Sequence, residues 1–133
     1  MLLGKLNKDE QTIFMQLSNI IIKSDLEITG AEEKLFSEYE SEMGKPFNGY
    51  LEKEFNLIDV LSLTEKYNEK VKKVIFFELL GLALCDGNFV NSEKNVIDKI
   101  RTSFGISMES QKDMIITIDK LMKLYKEISE YFE

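Results

Sequence analysis

The sequence predicts an all-α fold: a helical bundle of about seven helices in a single domain spanning residues 1–133. Three observations predict it. Proline occurs once, at Pro46, and glycine only seven times, so little interrupts a helix. No stretch alternates apolar and polar residues long enough for a half-buried strand, whereas apolar residues recur at helical spacing almost throughout. The two halves of the chain also align at one fixed offset, which predicts a helical hairpin used twice.

Taken in order, Ile13, Phe14, Leu17, Ile20 and Ile21 mark one face of a first helix over about 8–23. Leu35, Phe36, Tyr39 and Met43 mark a second over about 30–43, and Gly44 can end it in the left-handed cap conformation. A short helix is expected over 47–55. Leu57, Val60, Leu61 and Leu63 predict another over 57–67. From Glu69 to Cys85 the pattern becomes apolar nearly all round, which predicts the central, most buried helix. Val96, Ile97, Ile100 and Phe104 face inward on a helix over 92–104, stopped by Gly105. Ile118, Leu121, Met122, Tyr125 and Ile128 lie at helical spacing on a last helix over 107–132.

The repeat halves are about 8–44 and 69–105. At an offset of 61 residues Asp25 falls on Asp86, Glu32 on Glu93 and Gly44 on Gly105, without a gap. Ile28 falls on Phe89, and Leu35, Phe36, Tyr39 and Met43 fall on Val96, Ile97, Ile100 and Phe104. Each half is then a hairpin with one apolar face, and an approximate two-fold would bury the two faces against each other.

Composition narrows the chemistry. Twenty-four acidic against seventeen basic residues give a net charge of −7, which speaks against a nucleic-acid partner and against an anionic membrane surface. With no histidine, Ser-His-Asp triads and His-containing zinc sites are excluded. The single cysteine, Cys85, has no partner for an internal disulfide and closes an apolar run, so a buried, inert thiol is expected. MLLGKLNKDEQ does not read as a signal peptide, and the apolar run ending at Cys85 is too short to span a bilayer, so a cytoplasmic location is expected.

The loop DGNFVNSE, 86–93, invites a calcium reading. With Asp86 at position 5 of an EF-hand loop, Gly87, Phe89 and Glu93 fall correctly, but Leu82 and Leu84 would occupy positions 1 and 3. Two carboxylates are lost, and an EF-hand is rejected. Two readings of the same residues stay open. In the structural one, Asp86 turns the chain by accepting backbone N–H groups, and Gly87 supplies the unusual backbone conformation. Phe89 staples the loop to the core, Asn91 or Ser92 caps the next helix, and Glu93 sits in its first turn; Thr29 and Glu32 form the matching capping box. In the functional one, Asp25, Glu32, Asp86 and Glu93 gather as four carboxylates able to hold a hard divalent cation, calcium or magnesium, with Glu27 and the Asn88 carbonyl as further donors.

Other features are weaker. Glu78 lies inside FFELLGLAL, either as a proton-carrying carboxylate or at the edge of the buried face. Lys70, Lys72 and Lys73 read as a solvated helix face flanked by Glu65 and Glu69. Met108, Met114, Met122, Tyr125, Tyr131 and Phe132 are core residues or a sticky C-terminal surface.

An apolar helix, then Cys-Asp-Gly, then a capped helix with a glutamate seven after the aspartate, resembles the tellurite-resistance TerB-like family. LALCDGNFVNSEKNVIDKIRTSFGIS resembles its second half, and IIIKSDLEITGAEEKLFSEYESEMG its more degenerate first half. The N-terminal region of a membrane-anchored DnaJ-type co-chaperone has the same style of motif. The resemblance implies an all-α domain of about seven helices with a pseudo-two-fold, and divalent-metal ligation at Asp25, Glu32, Asp86 and Glu93. It also implies a link to tellurite and stress responses. Leu26 departs from the expected glycine and Val90 from the usual Ser/Thr cap, a role that Asn91 would take over. The expected function is therefore non-enzymatic binding of a cation and a protein partner. The alternatives are an interaction module of scaffold or immunity type, with purely structural acids, and a carboxylate enzyme using Mg²⁺.

Overall fold

A computed structural model describes residues 1–24, 30–44, 53–85 and 91–133, without the side chains of Asn91 and Ser92. A 3-10 turn, Leu3–Lys5, precedes α1 (Lys8–Ser24), α2 (Gly30–Met43), α3 (Leu57–Leu63), α4 (Glu69–Leu84), α5 (Asn91–Phe104) and α6 (Met108–Glu130). The fold is all-α, with six α-helices and no strand among the described residues. Of the short helix expected over 47–55, residues 47–52 lie outside the described part, and Lys53, Glu54 and Phe55 are not helical.

Helix starts are set by asparagine and serine. The Asn7 side chain accepts from the Glu10 N–H (2.9 Å) while the Glu10 carboxylate accepts from the Asn7 N–H (2.8 Å), a reciprocal capping box. Asn56, Asn68 and Ser107 cap α3, α4 and α6 by accepting from the N–H three residues on. Gly44 (φ 65°) and Gly105 (φ 71°) take the left-handed conformation just past α2 and α5. The helix expected over 57–67 stops at Leu63 because Thr64 turns the chain. Its N–H and hydroxyl both donate to the Leu61 carbonyl (3.0 and 2.7 Å), and its own carbonyl accepts from Tyr67.

The core lies between α1 and α4, which pack on each other, with α5 against both; α3 packs on α1 and α6 on α4. Phe14, Met15 and Leu17 of α1 meet Ile75, Phe76 and Leu79 of α4 in one cluster of fully buried side chains. Truncating a buried phenylalanine such as Phe14 or Phe76 to alanine costs about 3–5 kcal/mol.

The offset of 61 residues runs through this architecture. Residues 14–24 and 75–85 have the same burial at every equivalent position, as do 32–42 and 93–103. Asn7 and Asn68 are equivalent caps, Gly44 and Gly105 equivalent stops. The Leu6 N–H bonds the Leu3 carbonyl as the Tyr67 N–H bonds that of Thr64. α3 sits on α1 as α6 sits on α4, so each half carries a third helix that the sequence comparison did not include, but Lys53–Asn56 are not helical where their equivalents Met114–Thr117 lie within α6.

The two units share clefts. Leu35, near the start of α2, lines a cleft with Gly81 and Cys85 at the end of α4; Val96, near the start of α5, lines one with Ile20, Lys23 and Ser24 at the end of α1. In each case a residue from the first half of one unit's second helix borders the same cleft as the last turn of the other unit's first helix.

The packing of α2 and α5 also differs. α5 packs closely on α1 and α4, whereas α2 approaches neither as closely and lies instead against the 3-10 turn. Bulk explains it: Phe36 and Tyr39 of α2 stand where α5 has Ile97 and Ile100. The Tyr39 ring meets Phe14 edge-on, with centroids 4.9 Å apart.

Candidate functional site

Of the four carboxylates expected as metal ligands, Glu32 and Glu93 are described; Asp25 and Asp86, with Glu27 and Asn88, lie outside the described residues. Thr29, the other half of the proposed capping box, Phe89, and the departures Leu26 and Val90 lie there too. Glu32 is the third residue of α2 and Glu93 the third of α5, and each is 2% exposed. A carboxylate in the first helical turn faces unpaired N–H groups and the positive end of the helix dipole. Near-complete burial goes further, because a desolvated carboxylate is costly unless charge or hydrogen bonds compensate it. Neither residue is without an interaction partner.

As hard oxygen donors they fit calcium or magnesium in kind. Among the described residues no three acidic or thiol side chains come together to hold a metal. A site would therefore have to be completed from 25–29 and 86–90, the segments that join α1 to α2 and α4 to α5.

A second concentration of polar groups lies between α2, α4 and α6. Glu78, on the otherwise apolar α4, is 6% exposed. Its Oε1 accepts from the Leu2 N–H (2.7 Å) and lies 3.4 Å from the Met1 amine. Glu42 of α2 closes on the same segment, with Oε2 2.6 Å from the Met1 amine and Oε1 accepting from the Leu3 N–H at 3.3 Å. Glu78 is thus a partnered carboxylate that ties the N-terminal turn to α4. The Tyr39 hydroxyl donates to the Glu78 carbonyl at 3.4 Å. Burial, and then the nearby Glu78, Cys85, Glu42 and Glu38, hold this phenol protonated well above its ordinary range. The groups border a cleft of about 360 Å³ whose other walls include Leu35, Phe77, Gly81, Ile118, Leu121 and Met122.

The remaining candidates resolve simply. Cys85 is half-buried at the end of α4. Lys73 pairs with Glu69 (3.0 Å) on a solvated face. Met114 packs against the core while Met108, Met122 and Tyr125 are exposed. Beyond Leu121 every side chain of α6 is exposed, ending in Tyr131 (82%) and Phe132 (85%). Among the described residues no helix is long and apolar enough to cross a membrane.

The sequence reading singled out Glu32 and Glu93 and did not group Tyr39, Glu42 and Gly81, which line one cleft. The only available signal was the break in the repeat, where Glu78 and Gly81 of α4 replace Leu17 and Ile20 of α1. No family model, curated protein or solved structure matches the chain.

Proposed function

We propose that this chain is a non-enzymatic binding domain of TerB-like type. It is built from two pseudo-two-fold-related helical units and holds a divalent cation, calcium or magnesium, between Asp25 and Glu32 of one unit and Asp86 and Glu93 of the other. A role in a tellurite or general stress response, exercised through a protein partner, belongs to the same reading.

One observation carries it: Glu32 and Glu93 occupy the same register of equivalent helices and are buried to the same degree. Surface carboxylates in a first helical turn gain from the helix dipole without leaving water, so burying both is an added cost. Both carboxylates already have interaction partners, and a divalent ion would add a further favourable one. The clefts that Leu35 of α2 shares with the last turn of α4, and Val96 of α5 with the last turn of α1, support a site shared by both units.

The test is a titration of Ca²⁺, Mg²⁺, Mn²⁺ and Zn²⁺ followed by melting temperature. An ion that binds only the folded state adds about 2.7 kcal/mol of stability at a hundred times its Kd. The expected result is a saturable rise with Ca²⁺ or Mg²⁺ that is lost in Glu93→Gln and Asp86→Asn. No rise at millimolar concentrations of any ion rejects the cation site.

The exposed apolar end of α6 supports a second reading, an interaction module of scaffold or immunity type whose buried acids only shape turns. It predicts no response to ions, and capture of a specific partner that is lost when residues 125–133 are removed.

A further inference from the structure

The cleft between α2, α4 and α6 lies where the correspondence between the two units fails. On α1, residues 16, 17, 20 and 24 are Gln, Leu, Ile and Ser; at the equivalent positions α4 carries Phe77, Glu78, Gly81 and Cys85, all of which line the cleft. The change from Ile20 to Gly81 matters most. Ile20 packs against the core, whereas Gly81 deletes that side chain at a wall of the cleft.

Neither backbone nor packing asks for this glycine. It lies in the last turn of α4 without positive φ, and a Cβ there would meet nothing within 4 Å. Glycine inside a helix is about 1 kcal/mol worse than alanine, so this position gives up stability and leaves open space.

The space has a definite chemistry. Its body is apolar, with Leu35, Phe77, Ile118, Leu121 and Met122 around it, and Glu38, Glu42 and Glu78 at its edge. No lysine or arginine is among the residues that line it. A volume of about 360 Å³ falls within the roughly 300–1,000 Å³ of small-molecule sites.

We propose that this cleft binds a small organic cation, a primary amine carried on an apolar aromatic or short aliphatic body. The body occupies the space left by Gly81 and the ammonium meets Glu42 and Glu38. This site is separate from the cation site at the helix starts and does not depend on it.

The test uses the full chain labelled with ¹⁵N and titrated with 2-phenylethylamine, n-hexylamine and, as the uncharged control, 2-phenylethanol. Saturable shifts confined to α2, α4 and α6 are expected with the amines, and binding at least several-fold weaker with the alcohol. Gly81→Leu fills the cleft and should weaken amine binding tenfold or more while melting no lower than the wild type. Should it melt lower, Met122→Trp, at an exposed position on the α6 wall, carries the same expectation. Glu38→Gln/Glu42→Gln should keep the Leu3 contact and bring amine binding down to that of the alcohol. Shifts that do not saturate, or undiminished binding in the cleft-filling variant, overturn the site. Equal binding of alcohol and amine overturns its preference for a cation.

Discussion

At the scale of single residues, burial and partnership decide roles that residue type leaves open. Glu32, Glu78 and Glu93 are all buried, for different reasons. Glu78 is fastened to the Leu2 N–H 76 residues away, a partner no local pattern announces. Glu32 and Glu93 were legible because an offset between two halves can be read from letters alone. Gly81 was not: in LLGLAL it reads as a tolerated helix glycine, and its meaning comes from Ile20 at the equivalent position. Tyr39 gives a pH prediction at this scale. Its phenol titrates at the ordinary value of about 10 in the unfolded chain and well above it in the fold. Above about pH 10 the unfolded state releases this proton while the folded state keeps it, so stability falls as pH rises. Unfolding by urea between pH 8 and 11 should show that decline, and Tyr39→Phe should flatten it. Part of the slope should remain, because the Tyr67 phenol is also raised, first by burial and then by Glu10 and Asp9. An unchanged slope in Tyr39→Phe would show that this phenol does not titrate across the transition.

At the scale of elements, the boundaries of α1, α2, α4, α5 and α6 fall within two residues of the spans read from helical spacing, because each is long and bounded by a cap or a glycine. α3 was read too long. Apolar spacing continues through Tyr67, but Thr64 and the need to restart the chain at Asn68 override it. Asn7 and Asn68 escaped the sequence comparison, though they stand at the same offset as the aspartates. As equivalent caps they carry a shared prediction: Asn7→Ala and Asn68→Ala should each cost about 1 kcal/mol, measured by denaturant unfolding. The Asn7 change should be the larger, since it also breaks the reciprocal bond with Glu10. A neutral effect at both would mean that the helix starts are held by tertiary packing alone.

At the scale of the whole molecule, burial repeats at an offset of 61 residues over 14–24 and 75–85 and over 32–42 and 93–103, while the packing of α2 and the stretch before α3 depart from it. The all-α class and the shared register were visible in the sequence, because helical spacing and burial are two views of one face. The standing-off of α2 was not visible. It depends on Phe36 and Tyr39 being wider than Ile97 and Ile100, and volume at a helix contact is not a pattern along a chain. In the proposed reading the equivalent starts of α2 and α5 bring matching acids to one cation. Diffraction from crystals grown with Mn²⁺, analysed for anomalous signal, tests it most directly. The account predicts a single manganese peak within bonding distance of carboxylate oxygens from both Glu32 and Glu93. A structure with no such peak, or with manganese bound by one unit alone, would contradict it.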